Sequence, residues 1–159
     1  MSAAMRAPRT AAEYRLLLRV LLVLVLVRVL LPCVRLKRLV RWVGRSHPSR
    51  LPHPVSLQTI AWYTDALLRR MPAGRLGNCL PRSLTLFYFA TRAGLPVRFH
   101  CGVRRVGEAL EGHAWLTLGD QLFLERGEPE GRYAVIFSYP EPGSGENPGE
   151  ALAYQGGPG

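Results

Sequence analysis

Acidic residues are nearly missing from the first third of this chain. Of its 11 Asp and Glu only Glu13 lies before residue 51, beside 11 Lys and Arg, whereas the remainder carries 10 of each sign. The net charge of +10 is therefore the property of one segment and not of the whole protein. No recognisable nucleic-acid reader motif accompanies that charge, so nucleic acid is not an expected partner. Cysteine is scarce too. Cys33, Cys79 and Cys101 are odd in number, far apart and free of any C-x-x-C pair, which argues against a disulfide framework or a structural zinc site. That usage fits a reducing, cytoplasmic setting and leaves room for one working thiol. A phosphate-binding glycine loop and internal repeats are also missing, and neither a metal nor an organic cofactor is expected. At 159 residues the chain holds one domain and whatever its ends add.

Long uninterrupted apolar runs are lacking as well. Tyr14 to Leu31 reads as a helix stopped by Pro32, but Arg19 and Arg28 leave only Val20 to Val27 unbroken. No small-residue cleavage site follows, so a signal peptide is not supported. Three readings stay open: a helix buried against protein, a helix in a membrane surface with snorkelling arginines, or a true span. Residues 35–50 add a basic amphipathic helix, so residues 14–45 offer a membrane-surface contact. Residues 1–13 read as a lead-in and residues 1–50 as a basic helical segment. His47 and His53 fall in a proline-punctuated linker and read as solvated.

The domain proper is expected over residues 55–139, with a disordered tail over 140–159. Its first helix spans residues 56–70. The next, Asn78 to Gly94, has both ends marked, with Asn78 as N-cap, Pro81 in the first turn and Gly94 as the left-handed stop. Cys79 sits in its first turn, where unpaired N–H groups favour thiolate over thiol. Alternation then gives strands near residues 95–105, 112–118, 121–126 and 132–138, with a loop over 106–111.

Cysteine catalysis needs a base and an orienting acid. His113 opens the second strand and is the best base. The acid is Glu125 or Asp120, and the hairpin turn decides between them. A three-residue turn at Leu118 to Asp120 sets Glu125 opposite His113, whereas a two-residue turn at Gly119-Asp120 sends it to the other face. Trp115 shares the face of His113, as wall, indole donor or core packing. His100 and Cys101 read as strand residues without a role.

The runs Cys79-Leu80-Pro81-Arg82-Ser83-Leu84, Ala93-Gly94-Leu95-Pro96-Val97 and His113-Ala114-Trp115-Leu116 together resemble the transglutaminase-like cysteine peptidase domain of lasso-peptide maturation B proteins, in the stand-alone form. The resemblance covers about residues 55 to 130. It implies an α+β fold, a transglutaminase/papain-like core in which a cysteine-bearing helix packs on an antiparallel sheet, here preceded by N-terminal helices. It implies that Cys79 attacks the leader–core bond of a ribosomally made precursor peptide with His113 as base and acid. The family's third member, usually Asp, falls at Glu125. The implied partners are a separate leader-recognition protein and an ATP-dependent macrolactam synthetase. A non-catalytic scaffold at a membrane surface and an acyl transferase using the same site are the alternatives.

Overall fold

A Thr-x-x-Glu box opens the first helix. In the computed structural model, which describes residues 10–45, 56–72, 77–125 and 133–141, the Thr10 hydroxyl accepts from the Glu13 N–H and the Glu13 carboxylate accepts from the Thr10 N–H, each at 3.2 Å. This reciprocal cap starts α1, Ala11–Cys33, within the expected lead-in. Pro32 does not stop the helix. It lies in the last turn, where it removes a single N–H, and the Val34 N–H still reaches the Leu30 carbonyl at 2.8 Å.

Leu16, Val20, Leu24 and Val27 recur at helical spacing and form the buried stripe of α1. Arg28 lies off that stripe and donates from Nη2 to the Pro72 carbonyl at 2.6 Å. One face of α1 is thus packed against protein, and its opposite face is exposed. Helix α2, Leu36–Gly44, turns Leu39, Val40 and Val43 inward. The rest of the expected basic helix, residues 46–50, lies outside the described residues, as do His47, His53 and the tail from residue 142. Helix α3, Leu57–Leu68, is capped by the Ser56 hydroxyl, which accepts from the Gln58 N–H at 3.1 Å.

Helix α4, Cys79–Arg92, is the axis of the molecule: α1, α2 and α3 contact it, and so do strands β1 and β2. It is buried almost all round, which explains its apolar run through Leu84, Leu86, Phe87 and Phe89. The polar Thr85 is fully buried there because its hydroxyl donates to the Pro81 carbonyl at 2.8 Å, one turn back.

The sheet comprises β1 (Val97–Val106), β2 (Ala109–Leu118), β3 (Gln121–Leu122) and β4 (Ala134–Tyr139). All neighbours are antiparallel, in the order β3-β2-β1-β4. The expected loop over 106–111 is a tight two-residue turn, with Val106 paired to Ala109 and Gly107 at φ +61°. The expected third strand stops at Leu122, and the fourth returns to the far side of β1. Val97, Phe99, Ala114 and Leu116 join the core under α4. Alternation sends His100, Gly102, His113, Trp115 and Thr117 to the other face.

Candidate active site

The edge of β2 that faces away from β1 is where the site is built. The Leu116 carbonyl accepts there from the Phe123 N–H at 2.9 Å. The carbonyls of Ala114 and Gly112, two and four residues back, open the same way because strand geometry repeats every two residues. Ladder pairing with β3 covers only Thr117 and Leu118, and α4 takes over where it ends. The Ser83 hydroxyl donates to the Ala114 carbonyl at 2.7 Å, and Cys79 Sγ lies 3.9 Å from the Gly112 carbonyl. Four helical residues rise about 6.0 Å and two strand residues about 6.7 Å. Helix and strand edge therefore run in step, and the sulfur is set beside the residue that precedes His113.

Cys79 is the first residue of α4, as its sequence position predicts. Asn78 precedes it but does not cap with its side chain. Its backbone is helical, at φ −103° and ψ −14°, rather than extended as a side-chain cap requires. Its Oδ1 is buried with no hydrogen-bond partner among the described residues.

The His113 ring lies within an aromatic stack. Its centroid is 6.0 Å from that of Trp115 at 15° between planes, and 5.2 Å from that of Tyr133 at 30°. The Arg104 guanidinium covers Tyr133 at 4.8 Å and is itself held by Glu111 through a 2.8 Å bond. Among the described residues stacking alone holds the imidazole, with no hydrogen bond to Cys79 or to an acid. Burial is the main influence lowering the His113 pKa; Arg82 and Arg104 push the same way and Glu111 opposes them. A neutral ring, able to accept a proton, is the favoured form.

Trp115 is the inner wall of this stack and is 1% exposed. Its Nε1 has no partner among the described residues. Gly102 across the strand makes room for the indole: a Cβ there would lie 2.9 Å from the Trp115 ring and 2.9 Å from the Ala134 carbonyl. His100, on the far side of Trp115, bonds Ser138 Oγ through Nδ1 at 2.8 Å and Thr117 Oγ1 through Nε2 at 3.0 Å. Burial, followed by the charge of Arg98, drives its pKa down to about 4. It is a strut across three strands, a structural part that its strand position alone did not indicate. Cys101 is partly buried, and burial together with Cys79 raises its pKa. Cys33 is exposed.

The hairpin turn has two residues, since Leu118 pairs with Gln121 across Gly119-Asp120. That register alone would carry Glu125 away from the His113 face. The ladder ends at Leu122, however, and Leu124 takes a left-handed conformation at φ +57°. The chain bends there toward α4. Glu125 Oε1 then meets Arg82 Nη1 at 2.8 Å, while Arg82 Nε bonds Asp65 Oδ1 at 2.6 Å and Nη2 donates to the Leu124 carbonyl at 2.7 Å. Burial raises the Glu125 pKa, Asp65 adds to the rise, and Arg82 opposes it. Among the described residues, Glu125 is engaged by Arg82 and not by His113. Asp120 is exposed at the hairpin tip, and about 17 Å of strand separates His113 from Leu118 alone.

Four participants escape the sequence reading: Arg82, Ser83, Asp65 and Tyr133. Arg82 and Ser83 stand three and four residues after Cys79, where a helix returns to the same face. Asp65, an acid amid the apolar residues of α3, was the available sign of a buried ion pair. Among the described residues no His, Cys, Asp and Glu cluster could hold a metal ion.

A family model described as the transglutaminase-like superfamily matches residues 20–138. Neither the curated proteins nor the solved structures give a significant match. The family match begins inside α1, so it takes in most of the N-terminal helical segment along with the core. Members of that superfamily are generally Cys–His–Asp peptidases and transferases. With a cysteine opening the central helix, a histidine one residue beyond the strand carbonyl it touches, and a match over most of its length, the chain belongs to the transglutaminase-like superfamily.

Proposed function

We propose that this chain is a cysteine peptidase that removes the leader from a ribosomally made lasso-peptide precursor. The observation that carries the chemistry is the seating of Cys79 Sγ at the Gly112 carbonyl, one residue from His113. The precursor class rests on the motif runs around Cys79, Gly94 and His113, which the superfamily match supports only at the level of the domain.

In the resting state the thiol proton points to the Gly112 carbonyl and the imidazole is stacked on Trp115 and Tyr133. Catalysis requires the His113 ring to leave this stack and reach the sulfur around the edge of β2. Among the described residues no paired strand blocks that path, because β3 covers only Thr117 and Leu118. His113 then takes the thiol proton as Cys79 attacks the scissile carbonyl carbon, and returns it to the departing amine. A thioester on Cys79 remains. Water attacks it with His113 as base, releasing the carboxylate and restoring the thiol. Glu125 is the acid proposed to orient the ring, since Arg82 brings it to the helix end that bears Cys79.

The separate leader-recognition protein presents the precursor, and the ATP-dependent macrolactam synthetase consumes the freed core. The same thioester accepts an amine in place of water, which is the acyl-transfer reading. Cleavage of precursor in a mixture of recognition protein and this chain is the test. Cys79→Ala is expected to abolish it, and undiminished cleavage would remove the proposal. The product mass separates hydrolysis from transfer.

A further inference from the structure

The outward face of α1 is the largest feature that the catalytic reading leaves unused. Leu18 and Leu22 are 64% and 66% exposed, and Val25, Leu26 and Val29 continue the same stripe at 42%, 51% and 58%. On a helical wheel these five fall within about 100° of arc, opposite the buried Leu16, Val20, Leu24 and Val27. The stripe extends about 17 Å along the axis from Leu18 to Val29. Single exposed apolar residues need no explanation, but a contiguous aliphatic band does. By length and composition α1 could cross a membrane. Its inner face, however, is part of the protein core, and Arg28 fastens it to the Pro72 carbonyl.

Charge identifies what lies against the band. Arg15 and Arg19 are exposed and flank its N-terminal end, beside Tyr14 at 58% exposure. Beyond its C-terminal end, α2 and its flanks expose Arg35, Lys37, Arg38, Arg41 and Arg45, together with Trp42 at 68%. Glu13 is the sole acid among described residues 10–45. An aliphatic stripe framed by snorkelling arginines and by aromatic residues with a polar edge matches the layers of a bilayer surface. The cations match anionic headgroups.

We infer that the outward face of α1 docks on an anionic lipid bilayer, lying in its surface without crossing it. This attachment is independent of the role given to Cys79. The test is co-sedimentation of the full chain with vesicles of phosphatidylcholine alone or of phosphatidylcholine with phosphatidylglycerol. Binding is expected to the mixed vesicles, to weaken as salt is raised, and to fall at least about tenfold in the double variant L22E/L26E. Circular dichroism should show that variant folded, because both positions face solvent. The inference fails if the wild-type chain ignores mixed vesicles, if it binds neutral vesicles equally well, or if L22E/L26E binds undiminished. It fails also if light scattering shows the wild-type chain as a dimer that L22E/L26E turns into a monomer without change in lipid binding, since the face would then be a contact between copies.

Discussion

Arg82 holds Glu125 through a 2.8 Å bond while its Nε is bonded to Asp65, and all three side chains are between 10% and 14% exposed. One guanidinium therefore joins α3, α4 and the chain leaving β3. Burial favours the neutral form of Glu125, and the Arg82 charge opposes that. Arg82→Ala takes the cation from Glu125 and removes one partner from Asp65, and it is expected to lower stability by about 3 kcal/mol, read from the urea midpoint. An unchanged midpoint would mean that solvent reaches the carboxylates.

Glu125→Gln separates structure from chemistry. The amide keeps an acceptor for Arg82, so the midpoint should move by no more than about 1 kcal/mol. Precursor cleavage should fall at least about tenfold if Glu125 orients His113. Asp120→Asn, at the exposed tip, should change neither quantity. The reverse pair of results would transfer the orienting role to Asp120.

Ser83→Ala tests the alignment of helix and strand. Both Ser83 and Ala114 are buried, and removal of the hydroxyl leaves the Ala114 carbonyl without its donor from α4. A loss of about 1 to 3 kcal/mol is expected in chemical denaturation. Cleavage should slow by more than the loss of folded protein explains, because Cys79 is registered on the same strand edge.

The His100 strut makes stability fall in acid. Its folded pKa of about 4 lies below the unfolded value of 6.5, so between those values the unfolded chain binds a proton that the folded chain refuses. The stabilisation is fully present above pH 6.5 and is lost as pH falls toward 4, by about 1 to 2 kcal/mol once solvent screening of this half-buried ring is allowed for. His100→Gln, which can still bond to Ser138 and Thr117, should flatten that part of the stability–pH curve. An unaltered slope would place the acid sensitivity elsewhere.

For His113 the sign of the shift governs activity. Burial, reinforced by Arg82, lowers its pKa, so the base stays neutral to lower pH than free imidazole. The acid limb of kcat/KM for precursor cleavage should accordingly lie below pH 6.5. A limb at or above that value would show that the titrating base is a different group or a differently placed ring.

Much of this arrangement was legible from residue order. Gly94 at φ +78° closes α4 where a left-handed glycine was expected, and the alternation after it gave β1 and the second half of β2. Cys79 and His113 stood out because a helix start and a strand start are both marked by local chemistry. Glu125 was harder to place. A register argument assumes that a strand continues, and the left-handed turn at Leu124 is made by a residue type that carries no signal for it. Asn78 shows a similar limit: residue type identified the cap position, but the backbone leading into it withheld the cap. The face of α1 that would be covered was also illegible, because leucine and valine surround that helix on every side.

The stepped match between α4 and β2 also sets what length changes the site can bear. A residue inserted between Cys79 and Ser83 would swing the sulfur about 100° around the helix and 1.5 Å along it, away from the Gly112 carbonyl. Because Ser83 locks the helix to the strand, the reacting atom is measured from β2 and not from the segment that leads into Asn78. Evolution or design can therefore alter the length of that lead-in while the thiol keeps its address.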